Sequence, residues 1–339
     1  MKTLVAAALL AYGSVRASAK EPVVVPVPMP GGGAGIGFDD LGWAPGLKKV
    51  LVPGGRTGKL FLIDPATRKI SALSGFTSES DYKGGHGEGV TSADEGSGFV
   101  FGTDRNAVAV DAIDPKTGKV VATAKLGGAP DYVRYVAATH EVWVSEPDSE
   151  RVEIFSLAGG EKAPALALSG TISVPGGPES LVIDEARGRA YTHTWGGESL
   201  ALDLKGRRIS AKFKNGCGGS RGIALDEKTG WLFAGCAEGK AVVLDAAKDG
   251  AILSSLSAGD GVDVIAYNGK LRHLYLPGAK SATLAILSVD GNGKLSLART
   301  VKTARGAHCA AADESGGVWA CDPDRGRLLF VKDAGAGAD

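Results

Sequence analysis

The chain has 339 residues, and its 38 Lys and Arg are balanced by 38 Asp and Glu. A neutral balance gives no general attraction for nucleic acid or for a charged membrane surface. Its 51 glycines follow no collagen period, so the chain reads as a turn-rich globular protein of many short strands rather than a fibrous one.

The first 22 residues, "MKTLVAAALLAYGSVRASAKEP", open with a lysine, pass through a short apolar run and reach Ala17-Ser18-Ala19. That is the pattern of a cleaved secretory signal, with cleavage expected after Ala19. The run is too short to span a bilayer, and no later segment is long enough either. Residues 1–19 are therefore expected to be a signal peptide, and the mature chain to be periplasmic or secreted.

Residues 20–38 follow. "EPVVVPVPMP" (21–30) is β-rich but carries prolines, which suits an outer edge strand. "GGGAGIG" (31–37) reads as a linker. It lacks the G-x-G-x-x-G register and opens no helix, so it is not read as a nucleotide loop.

From residue 39 to 333 a unit repeats. "GPESLVIDEARGRAYTHTW" (177–195) aligns with "GSRGIALDEKTGWLFAGCA" (219–237), "APDYVRYVAATHEVWVSEP" (129–147) and "GAHCAAADESGGVWACDPD" (306–324). Each copy has a small-residue loop, an apolar strand, a polar turn and a second apolar strand. "GHGEGVTSADEGSGFVFGT" (85–103), "GVDVIAYNGKLRHLYLPGA" (261–279) and the weaker "DDLGWAPGLKKVLVPGG" (39–55) fit the same frame. A third strand and then a D-x-x-x-G-K turn and a fourth strand usually follow, as in "AVAVDAIDPKTGKVVATAKL" (107–126).

The copies recur every 41 to 49 residues. Four short strands at that period make a propeller blade, and seven such units predict an all-β, seven-bladed β-propeller. The last unit stops after three strands, at "RLLFVKD" (327–333), so Val23 to Val27 is expected to complete it and close the ring. Residues 334–339 are left as a tail.

The second strands "VWVSEPD" (142–148), "AYTHTWG" (190–196), "HLYLPGA" (273–279) and "VWACDPD" (318–324) resemble the Tyr-Val-Thr-Asn strands of the YVTN-repeat, or YncE-like, β-propellers. The resemblance covers nearly the whole mature chain. It implies an extracytoplasmic binding scaffold. One member of that family binds nucleic acid, and related propellers include lactonases and subunits of redox enzymes. Fold alone does not choose among these.

Candidate site residues follow from the repeat. In a propeller the residues that begin the first strands ring one mouth of the central channel. Here they are Asp39 or Asp40, Glu88, Asp131, Glu179, Arg221, Asp263 and His308, with His86 just before Glu88. Carboxylates gathered there repel one another unless something positive sits among them. Arg221 and Lys83 are candidate partners. A divalent cation (calcium, magnesium or zinc) is another, with Glu88, Asp131, Glu179, Asp263 and His308 as its candidate ligands. Such a metal could activate water for lactone or ester hydrolysis. Backbone-capping carboxylates with no ligand remain the plain alternative. Trp195, near a loop, could stack on a ligand, while His140, His193 and His273 read as solvated or packed residues.

The four cysteines all lie in the fifth and seventh repeats. Cys309 and Cys321 flank a hairpin centred on Ser315 and should face each other. Cys217 and Cys236 bracket the first two strands of the fifth repeat. Two disulfides, Cys309–Cys321 and Cys217–Cys236, are therefore expected in an oxidising compartment. No C-x-x-C spacing points to zinc or to thiol redox chemistry.

Gly218-Gly219-Ser220-Arg221-Gly222 spells G-x-S-x-G, but it leads into a strand rather than a helix, so Ser220 is not read as a nucleophile. The basic run "KGRR" (205–208) with Lys212 and Lys214 falls on an outer strand, where lysine discourages edge pairing. The reading reached is a monomeric binding scaffold for a small molecule or an envelope protein. A metal-dependent hydrolase is the alternative, and nucleic acid is disfavoured as a partner.

Overall fold

The computed structural model describes residues 23–160 and 163–334. The expected signal peptide and all but the first residue of the tail lie outside the described residues.

Seven four-stranded antiparallel sheets account for the strands. Their innermost strands are Gly42–Ala44, Val90–Gly96, Val133–Val136, Val182–Asp184, Ser220–Asp226, Ala266–Asn268 and Ala310–Ala312. Six blades run consecutively outward from these. The seventh consists of Ala310–Ala312, Gly317–Asp322, Arg327–Lys332 and, outermost, Val24–Pro28. The N-terminal strand thus closes the ring, pairing Val24 with Val331 and Pro28 with Arg327. Pro26 and Pro28 share a parity along it, so both missing amides fall on one side, which an edge strand can leave open.

Burial follows strand position. The second strands Phe99–Asp104, Glu141–Glu146, Trp231–Cys236 and Gly317–Asp322 are buried throughout, because blades pack on both of their faces. The outer strand Arg208–Lys214 alternates exposed and half-buried residues, as a half-solvated edge should. In five blades the third and fourth strands slip by one residue midway, a bulge that increases local twist.

The predicted turns form through side-chain bonds to the backbone. Asp114 accepts from the Lys116 amide at 2.8 Å and the Thr117 hydroxyl at 2.9 Å, and Gly118 takes the left-handed conformation. No helix among the described residues is long and apolar enough to cross a membrane.

The glycine-rich segment is more than a linker. Ile36 and Phe38 are fully buried, and the Ile36 amide donates to the Pro323 carbonyl at 2.9 Å. Arg56 ties this segment to the long loop between blades 1 and 2. Its guanidinium donates to the carbonyls of Gly35 (2.7 Å), Gly31 (3.0 Å), Ser80 (3.2 Å) and Glu79 (3.3 Å). The brace matters because the same loop carries His86.

Candidate functional site

Loops that precede first strands and loops that follow second strands share one face, so the ring predicted from the repeat converges there. A cavity of about 320 Å³ opens at this mouth. Among its lining residues are His86, Asp131, Glu179, Arg221 and Asp263. All five were predicted. Trp195, singled out as a ring that could stack on a ligand, also lines it, and so does Arg105, which was not singled out. They follow the second strands of blades 2 and 4, and the same frame that indexes the first strands places them at equivalent positions.

Two predicted residues stand apart. Glu88 pairs with Lys83 at 3.1 Å and lines a separate small crevice rather than the mouth. His308 lies close beside the mouth, with its ring stacked on that of His86 at 5.2 Å between centroids.

Positive groups do sit among the carboxyls. Arg105 donates to the Asp131 carboxylate at 2.8 Å, and Arg221 lies 3.5 Å from Glu179, which also accepts from the Trp195 indole. His86 bridges two acids, with Nδ1 3.0 Å from Asp39 and Nε2 3.8 Å from Asp263. The Asp39 carboxylate drives the His86 imidazole up to about 9 against the effect of burial. Burial acts to raise Asp39 itself, but the same histidine holds it below the usual range.

The other acids go the opposite way. Burial, then repulsion from Asp39, pushes Asp131 well above the usual carboxylate range. Burial raises Asp263 and lifts Glu179 to about 7. Three carboxyls at the mouth therefore hold protons more tightly than free acids do. Burial is the first cause in each, and the charge of neighbouring acids adds to it.

Deeper in the channel Asp40 and Arg134 form a two-pronged pair, Oδ2 to Nη1 at 2.6 Å and Oδ1 to Nη2 at 3.0 Å. Ser92 donates to the same carboxylate at 2.6 Å, and the Arg134 guanidinium lies 5.1 Å from the Tyr132 ring centre.

The cysteines divide. Cys217 and Cys236 form a disulfide, as expected. The expected Cys309–Cys321 disulfide is not formed; both are buried free thiols. The register was read correctly, since the strand pairing continues from Ala310 opposite Ala320 and the Cys321 amide donates to the Cys309 carbonyl at 3.0 Å. Spacing does not account for the missing bond, since opposed antiparallel residues of either kind stand within the range a disulfide accepts. The Cys321 sulfur instead accepts from the Cys309 amide at 3.2 Å and faces His308.

The remaining singled-out residues are structural. His193 is fully buried, with Nδ1 2.9 Å from the Ser199 hydroxyl, and burial pushes it down to about 4. His273 is buried against Asp333 at 2.6 Å, and His140 meets the Tyr135 hydroxyl at 3.0 Å. Ser220 is buried and accepts from Asn215 at 2.8 Å, an arrangement that offers no exposed nucleophile. A larger cavity, about 530 Å³, opens on the opposite face among the turns joining first and second strands, with Trp43, Trp231 and Tyr267 in its wall. None of the predicted ring reaches it.

No protein-family profile matches the chain, and no curated protein matches it in sequence. Solved structures do match in shape. A chain in the crystal structure of the mitotic checkpoint complex is similar with a TM-score of 0.73 at 16% identity, covering 98% of this chain and 99% of that one. The Cps50 (Swd1) β-propeller domain of Myceliophteria thermophila is similar with a TM-score of 0.72 at 12% identity, covering 92% and 100%. A chain of Kuenenia stuttgartiensis hydrazine synthase is similar with a TM-score of 0.70 at 11% identity, covering 96% and 99%. At such identities the likeness carries architecture only, and in architecture this chain is a seven-bladed β-propeller.

Proposed function

We propose that the protein is a binding scaffold that seats a positively charged ligand over the channel mouth. The observation that carries this reading is the trio Asp131, Glu179 and Asp263, all raised above their usual range around one open cavity. A cationic group placed there would relieve their repulsion. Trp195, 43% exposed at the rim, offers a ring face for the same charge. The ligand is then a small organic cation or an amine-bearing segment of a partner protein.

The test is calorimetric titration with spermidine, choline and lysine methyl ester. Binding between pH 6 and 7 should release protons, because the ligand ionises carboxyls that were still protonated. Glu179→Gln and Asp263→Asn should weaken it. If both variants bind every probe as the parent does, the ligand does not sit at this mouth.

A second reading, metal-dependent hydrolysis of lactones or esters, is favoured by one feature. Donor atoms of His86, Asp263 and His308 lie within 4.8 Å of one another, close enough for one divalent ion. Hydrolysis that persists undiminished after chelation would remove it.

A periplasmic or secreted monomer of the YVTN-repeat kind fits both readings. Its support is the N-terminal sequence pattern, the repeat strands and the Cys217–Cys236 bond.

A further inference from the structure

Beneath the mouth lies a group of donors that the ligand reading does not use. Cys309 and Cys321 are fully buried thiols facing each other across adjacent strands. Nδ1 of His308 is 3.8 Å from the Cys321 sulfur, and the two sulfurs and a His308 nitrogen lie within 4.8 Å of one another. Zn–S bonds of about 2.3 Å and Zn–N bonds of about 2.0 Å at tetrahedral angles give donor–donor edges of about 3.6 to 3.8 Å. The edge from Nδ1 to Cys321 already has that length, and the others need to close by at most about 1.2 Å.

We propose that Cys309 Sγ, Cys321 Sγ and His308 Nδ1 form a buried binding site for a soft d10 cation, zinc(II) or copper(I). Thiolate and imidazole donors select such ions over calcium or magnesium, which prefer oxygen. The other imidazole nitrogen, Nε2, is 2.9 Å from the Phe38 carbonyl. A ring N–H donated to a backbone carbonyl is how proteins orient a metal-binding histidine and fix its free nitrogen. Nδ1 also lies 2.7 Å from the Gly306 carbonyl, and its proton there is the one an arriving cation displaces.

His86, half-exposed and oriented by Asp39, stacks on His308, and with Asp263 it forms an outer cluster sharing that histidine. An ion could be caught there and passed inward. The inner site does not rest on the cationic-ligand reading, because its sulfurs do not line the mouth cavity.

The test uses the full chain, reduced, stripped with chelator and titrated without oxygen. Probes are zinc(II), copper(I) and cobalt(II), with elemental analysis after desalting. One ion per chain is expected, with a thiolate-to-cobalt charge-transfer band in the near ultraviolet. Competition against a chelator of known affinity tells which ion the site prefers. Cys321→Ser should abolish the band and weaken zinc binding by more than the roughly 10–100-fold that losing an outer-shell partner brings. Glu88→Gln, in its separate crevice, should keep both. Should Cys321→Ser fail to give a cooperative melt, the parent's stoichiometry and cobalt band decide alone. The proposal is overturned if the parent shows no thiolate band. It is also overturned if its ion survives Cys321→Ser but leaves with Asp263→Asn, which would place the ion in the outer cluster.

Discussion

Asp40 and Arg134, ninety-four positions apart in sequence, grip each other in the channel through two hydrogen bonds of 2.6 and 3.0 Å. The carboxylate belongs to the segment leading into blade 1 and the guanidinium to the inner strand of blade 3, so the pair spans three blades of the ring. Removing one partner from a buried pair strands the other charge. Arg134→Met should cost about 3–5 kcal/mol in urea unfolding, and adding Asp40→Asn should recover part of the loss. Additive losses in the double variant would show that the two residues act separately.

Glu179 makes stability depend on pH in a set direction. Its carboxyl is raised from 4.5 to about 7 by burial, so between those values the folded chain holds a proton that the unfolded chain has released. Its contribution is fully present below about pH 4.5 and is lost as pH rises to about 7, at up to about 1.4 kcal/mol per unit. Glu179→Gln should flatten this slope, matching the parent most closely near pH 4.5 and gaining on it toward pH 8. Parallel curves for parent and variant would contradict the assignment.

A thiol count on the denatured, unreduced protein should give two, from Cys309 and Cys321. Replacing Cys217 and Cys236 with serine together should lower the unfolding free energy by about 2–4 kcal/mol. Zero thiols would instead restore the second staple expected from sequence and deny the soft-metal site its ligands.

Gly37 sets the position of His86. A Cβ there would lie 2.3 Å from the Gly85 carbonyl oxygen and 2.9 Å from the His86 Cα, so something must move. Gly37→Ala should destabilise the fold by about 1–3 kcal/mol and shift the His86 ring resonances. Gly33→Ala, with nothing within 4 Å of its added carbon, is the control and should be close to neutral. Unshifted His86 resonances in Gly37→Ala would mean that the neighbouring loop does not depend on this contact.

The mouth was legible because the repeat is. Once Asp131, Glu179, Arg221 and Asp263 are indexed to the same place in successive copies, the fold must bring them around one axis. Arg105 is indexed just as well, after the second strand of blade 2, but nothing in one sequence says which of two loop sets will lean over the channel. Glu88 shows the converse: its backbone is in the ring, yet Lys83, five residues earlier, takes its side chain. For Cys309 and Cys321 the register was readable and the bond was not. Opposition alone does not say whether two cysteines will bond, and no local pattern announces that a histidine will stand beside the sulfur. Asp40 and Arg134 were beyond reach, since nothing local links them.

The closing strand has a consequence for the order of events in synthesis. Val24–Pro28 leaves the ribosome before any blade exists, and its partner Arg327–Lys332 leaves about 300 residues later. Blades 1 to 6 can pair as they emerge, since each is contiguous in the chain. The ring cannot be sealed until Arg327–Lys332 is out, and until then Val24–Pro28 has no partner strand and is open to other chains. Slow or interrupted completion of the chain should therefore yield a nearly finished, adhesive circle rather than a disordered one.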